Sequence, residues 1–101
     1  MARRPYYGGF SEHALRFYAR TPVLSRGKTA EADINNWNAC DNVFSELSAY
    51  EKDVLLIVFG SKRPIQDAVK TVTCRYSVSE GSVWKTIDKI QRMVAEKRGL
   101  I

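Results

Sequence analysis

One histidine, two cysteines and three prolines are all that this 101-residue sequence holds of the residue types that most often carry catalysis, metal binding or chain breaks. The single histidine, His13, sits near the start, so a serine or cysteine nucleophile in the rest of the chain has no base to activate it. Cys40 and Cys74 are far apart and lack any CxxC or Cys/His spacing, which argues against zinc and leaves reduced, half-buried thiols as the expectation. Gly8-Gly9 precedes no strand–loop–helix unit that would cradle a phosphate. No catalytic residue, metal or cofactor is therefore expected, and an enzyme is not the reading. The longest apolar run, Val54 to Phe59, is six residues against the roughly 20 that a membrane span needs. Met1 to Phe10 carries Arg3 and Arg4 with no apolar stretch behind them, unlike a signal peptide or lipid anchor, so a cytoplasmic location is expected.

The remaining composition is that of a globular protein, with 45% apolar and 27% charged residues. A net charge of +5 makes a polyanionic partner plausible. Its distribution is uneven: residues 1–28 hold six bases and one acid, residues 29–59 one base and six acids, residues 60–101 nine bases and four acids. Either the basic start lies against the acidic middle, or the last block presents a positive face of its own.

Periodicity and caps predict a small all-α bundle of about four principal helices, with residues 1–28 as a partly ordered basic, aromatic-rich arm and 29–101 as a single helical domain. In the arm, Tyr6, Tyr7, Phe10, Phe17 and Tyr18 lie among Arg3, Arg4, Arg16 and Arg20. Such a mixture stacks on bases in some proteins and packs on the protein's own core in others. Ser11 is placed to cap a short helix through Tyr18 or Ala19 that ends before Thr21-Pro22. Thr29 to about Phe44 has an amphipathic pattern through Ala30, Ile34, Trp37, Asn38 or Asp41, and Phe44, with Trp37 as a core anchor. Ser48 and Glu51 fit a capping box, which decides that Val54–Phe59 is a buried helix ending at Gly60 rather than a strand. After Pro64, the residues Ile65, Ala68, Val69, Val72 and Tyr76 share one helical face. Ser77 to Ser79 is long enough only for a tight turn, Ser79 caps the next helix, and Val83, Ile87, Ile90 and Val94 carry that helix to a stop at Gly99.

Two single-striped helices joined by about three residues, over about 65–98, have the layout of a helix-turn-helix. Val72, Thr73, Tyr76, Val78, Val83 and Ile87 fall where that motif needs apolar or small residues, and Val78 is expected to pin the turn to the core. The segment Leu47–Arg98 also resembles the fourth conserved region of bacterial sigma factors, through Leu47-Ser48, Glu51-Lys-Asp-Val54-Leu55, Phe59-Gly60, Arg75-Tyr76-Ser-Val78-Ser79, Val83, Trp84-Lys85 and Ile87. Asn36-Trp37-Asn-Ala-Cys40 and the ending Glu96-Lys-Arg-Gly-Leu-Ile101 look like small proteins of phages and mobile elements of Gram-positive bacteria.

The sigma-like resemblance implies a DNA-binding transcription regulator whose last helix enters the major groove of double-stranded DNA, and the second resemblance implies that it is phage or mobile-element encoded. It implies base-edge positions at Glu80, Gly81, Trp84 and Lys85, with Ser82 beside them. Lys62, Arg63, Lys70, Arg75, Lys89 and Arg92 are the phosphate-contact candidates. The chain departs from the family by offering an acid, a glycine and a tryptophan where sigma factors place arginine and other polar residues. The competing reading is a protein-binding adaptor or inhibitor that reuses the fold against host RNA polymerase or a defence nuclease, since an exposed tryptophan suits a protein interface. A homodimer through the acidic helix around Trp37 is compatible with both.

Overall fold

Serine side chains set the starts of two helices. In the computed structural model, which describes residues 8–21, 24, 27 and 29–101, Ser48 Oγ accepts from the Glu51 amide at 3.2 Å and the Ser48 amide donates to Glu51 Oε1 at 3.0 Å. This reciprocal pair is the capping box the sequence predicts, and it starts a helix over Ala49–Gly60. Ser79 Oγ likewise accepts from the Ser82 amide at 3.1 Å and starts the last helix. That helix stops as predicted: Gly99 takes φ 74°, its amide reaches the Glu96 carbonyl at 3.1 Å, and the Leu100 amide reaches Ala95 at 2.8 Å. Those two bonds satisfy carbonyls that the helix itself leaves open.

Five helices make up the described fold: α1 (Gly8–Arg20), α2 (Glu31–Glu46), α3 (Ala49–Gly60), α4 (Ile65–Tyr76) and α5 (Glu80–Lys97). No strand occurs among the described residues, so the all-α expectation holds. One apolar cluster joins every helix, from Leu15 of α1 through Cys40 and Val43 of α2 and Val54, Leu55, Val58 and Phe59 of α3 to Val69 and Val72 of α4 and Val83, Ile87, Ile90 and Val94 of α5. Each such side chain fully withdrawn from water contributes roughly 1.5–3 kcal/mol before the entropy of ordering is counted.

Two readings of the first half need correction. Ser11 does not cap a helix; it lies inside α1, fully buried, and its Oγ donates to the Gln91 carbonyl of α5 at 3.1 Å. Gly8, Ser11 and Ala14 give α1 a face of small residues, which lets its backbone approach α5 closely while Leu15 fills the core. Residues 8–20 of the stretch read as an arm are therefore a core helix, the fifth where about four were expected. Arg3, Arg4, Tyr6, Tyr7 and Pro22 lie outside the described residues.

The buried stripe of α2 is also rotated from the one read. Asn36, Ala39, Cys40 and Val43 face inward, whereas Trp37 and Phe44 are half-buried. Trp37 and Phe44 instead hold Tyr18 of α1 between them, with ring centroids 5.1 and 5.8 Å from it. Trp37 Nε1 donates to the Thr21 carbonyl at 2.7 Å. An indole N–H needs a partner, and the Thr21 carbonyl at the rim between α1 and α2 supplies one. Asn36 tolerates burial because its Oδ1 accepts from Arg98 Nε at 2.8 Å.

Candidate nucleic-acid interface

α4 and α5 are separate helices joined by Ser77–Ser79, and both close on α3. Ser77 takes a left-handed conformation, φ 53° and ψ 44°, which ends α4 and turns the chain. Val78 then packs against the core, where an apolar residue in a polar turn is needed to fix the angle between the helices. Val72, Val83 and Ile87 are fully buried behind it.

Tyr76 departs from its expected place on the apolar face. It is exposed, its hydroxyl donates to Asp53 Oδ2, and its ring meets Tyr50 edge-on at 4.8 Å. The Tyr76 hydroxyl and, second, the Arg75 guanidinium hold the Asp53 carboxyl below its usual range, while the same carboxylate raises the Tyr76 phenol.

All five base-reading candidates, Glu80, Gly81, Ser82, Trp84 and Lys85, are exposed. With about 100° between successive residues, they divide into two stripes. Ser82, Lys85, Lys89 and Arg92 lie opposite the buried Val83–Ile87–Ile90–Val94 face, and Glu80, Trp84 and Asp88 run at i, i+4 and i+8 along one flank. Trp84 keeps 37% of its surface in solvent. A side chain begun at Gly81 would meet nothing within 4 Å, so no described part of the protein requires glycine there.

The six phosphate-contact candidates separate into two groups. Lys89 Nζ lies 2.6 Å from Glu51 Oε2, and Arg75 Nη1 lies 3.3 Å from Asp53 Oδ2, so two are already held by carboxylates of α3. Lys97 meets Glu46 at 3.1 Å in the same way. The acidic middle of the chain thus neutralises part of the basic end. Lys62, Arg63, Lys70 and Arg92 are exposed and have no ion-pair partner among the described residues, although Arg63 Nη2 donates to Thr71 Oγ1 at 2.9 Å. Sequence reading names Arg16 and Arg20 only as part of the arm and does not join them to α3, whereas their guanidinium groups both donate to the Ser61 carbonyl. Their spacing of four marks one helix face, but nothing in the sequence ties that face to a residue 41 or 45 positions away.

Among the described residues, no group of three His, Cys, Asp or Glu side chains is placed to hold a metal ion, and no helix is long and apolar enough to cross a membrane. His13 lines a shallow groove with Arg16, Phe17 and Arg20. Comparison of the chain with protein-family models, with curated proteins and with solved structures finds no match.

Proposed function

We propose that this protein binds double-stranded DNA through α4 and α5 and acts in transcriptional control. The observation that carries this reading is the α4–turn–α5 unit: a three-residue connection wedged by Val78, with the side of α5 bearing Ser82, Lys85 and Arg92 turned away from the core. An α-helix fits the major groove, which is about 12 Å wide. Lysine at position 85 donates to guanine edges, Ser82 hydrogen-bonds to either kind of base pair, and Lys62, Lys70 and Arg92 supply salt-sensitive phosphate contacts. The resemblance to the fourth region of sigma factors supports the same reading, and the likeness of Asn36–Cys40 and Glu96–Ile101 to phage and mobile-element proteins adds the setting.

The test is binding to random duplex DNA across a salt series, with Lys85→Ala and Arg92→Ala alongside. Nonspecific dissociation constants on the order of 10⁻⁶ to 10⁻⁴ M that rise steeply with salt are expected, with each variant flattening that dependence. Absence of binding at low salt would end the proposal.

The flank formed by Glu80, Trp84 and Asp88 favours a second reading, a protein-binding module, because an exposed tryptophan between two acids suits an apolar pocket with a basic rim. A host protein such as RNA polymerase retained by the wild-type chain and lost with Trp84→Ala, together with no affinity for DNA, would establish it.

A further inference from the structure

Two cations of α1 meet the α3–α4 connection, which itself carries two more. Arg16 Nη1 and Arg20 Nη2 donate to the same Ser61 carbonyl oxygen, at 2.8 and 3.0 Å. Lys62 and Arg63 follow directly, both exposed, and the Arg63 amide donates to Ser61 Oγ at 3.0 Å. The carbonyls at the end of a helix carry partial negative charge, so one guanidinium at the end of α3 is ordinary. Two on one oxygen, with Lys62 and Arg63 next in the chain, exceed what that cap requires.

Among the described residues, few counter-ions serve these cations. Arg75, Lys89 and Lys97 each meet a carboxylate on another helix. In the cluster around Ser61, Glu12 pairs with Arg16 at 3.3 Å, whereas Arg20, Lys62 and Arg63 have no ion-pair partner among the described residues. Holding two guanidinium groups on one oxygen, with Glu12 pairing only Arg16, is unfavourable, and an anion arriving from outside relieves it. A guanidinium has five N–H donors, and Arg20 directs one of them to Ser61, leaving a fork suited to a phosphate.

We propose that α1 and the α3–α4 connection form a clamp for the DNA phosphate backbone, with Arg20 and Lys62 as its outward contacts and Arg16 fixing α1 to the end of α3. The clamp rests on the duplex-DNA reading above and enlarges its footprint. It lies at the opposite end of the 12-residue α4 from the turn that leads into α5. That helix spans about 18 Å, enough to bring Lys85 into a groove about 12 Å wide while the clamp meets the sugar–phosphate row at its edge. The sigma-like span, residues 47–98, includes Lys62 but not α1, so the resemblance implies nothing of the contact from Arg20 and Arg16.

The salt dependence of binding to random duplex DNA tests it, using the full chain and the variants Arg20→Ala/Lys62→Ala, Arg20→Lys and Lys85→Ala/Arg92→Ala. Loss of two phosphate contacts should lower the slope of log K against log salt by roughly two, because each contact contributes about 0.9. Arg20→Lys should keep the wild-type slope, since it keeps the charge, and thermal melts should stay close to wild type for all three. If Arg20→Ala/Lys62→Ala leaves the slope unchanged while Lys85→Ala/Arg92→Ala lowers it, the clamp is wrong and the DNA reading stands. If the wild type does not bind DNA, both fall together.

Discussion

Lys89 Nζ lies 2.6 Å from Glu51 Oε2, so the middle of α5 is fastened to the first turn of α3 by the same carboxylate whose other oxygen accepts from the Ser48 amide. One acidic group thereby closes a capping box and anchors the helix that the DNA reading aims at the major groove. The bond from Lys89, followed by that from Ser48, holds Glu51 below its ordinary value of 4.5. A carboxylate depressed in the folded state adds stability that is complete above the unfolded pKa and is lost as pH falls through the lower folded value. Lys89→Ala should move the Glu51 titration, followed by side-chain carboxyl NMR, up toward 4.5. Because Lys89 is largely exposed, the stability cost should be only about 0.2–1 kcal/mol. The same variant should leave the salt dependence of DNA binding close to wild type; a drop as large as that of Arg92→Ala would mean that Lys89 leaves Glu51 for phosphate.

Leu15 tests whether α1 is part of the core. It is fully buried and belongs to the same apolar cluster as Ile90 and Phe59. Leu15→Ala should cost about 2–5 kcal/mol in urea unfolding, the range for deleting a buried leucine. A change below about 1 kcal/mol would show that α1 detaches without consequence for the remaining helices.

The contrast between α1 and α5 explains how far the sequence could be read. Capping serines at 48 and 79, Gly99 at a helix stop and four branched residues spaced along α5 are local signals, and each appears in the structure where it was placed. α1 is recognised through a glycine, a serine and an alanine, whose value lies in allowing α5 to come close, and that property depends on a partner 80 residues away. Trp37 misled for a related reason: its size suggests the centre of a core, but its N–H draws it to the rim. At the candidate interface the exposed side of α5 followed from periodicity alone. Which cations are already held by Glu51 and Asp53, and which gather at Ser61, depended on tertiary contacts that spacing does not encode.

The two cysteines should behave in opposite ways toward thiol reagents. Cys40 is fully buried, and burial, with Asp41 adding to it, pushes its thiol up to about 12. Cys74 is exposed on α4, and both are free. Thiolate is the reactive form, so one equivalent of an aromatic disulfide reagent should react quickly in the native protein and a second only on unfolding. Fast reaction of both thiols under native conditions would place Cys40 outside the core.

Ser77 offers the most direct test of the turn that orients α5. Its φ of 53° is the left-handed region, where a residue with a Cβ is strained by roughly 1–2 kcal/mol relative to its ordinary conformation. Glycine removes that strain but gives the unfolded chain more freedom, which offsets about 0.4–1 kcal/mol of the gain. Ser77→Gly should therefore raise stability modestly, by up to about 1 kcal/mol, and Ser77→Val should lower it, because a β-branched residue is poorly accommodated at positive φ. Gly99, at φ 74°, should show the opposite sign, with Gly99→Ala destabilising. Since Val78 still wedges the turn in Ser77→Gly, the angle between α4 and α5 is kept, and DNA affinity should follow the wild type. A stabilised Ser77→Gly that lost DNA binding would mean that the serine hydroxyl itself touches the ligand; a destabilised one would mean that the chain does not turn left-handed at this residue.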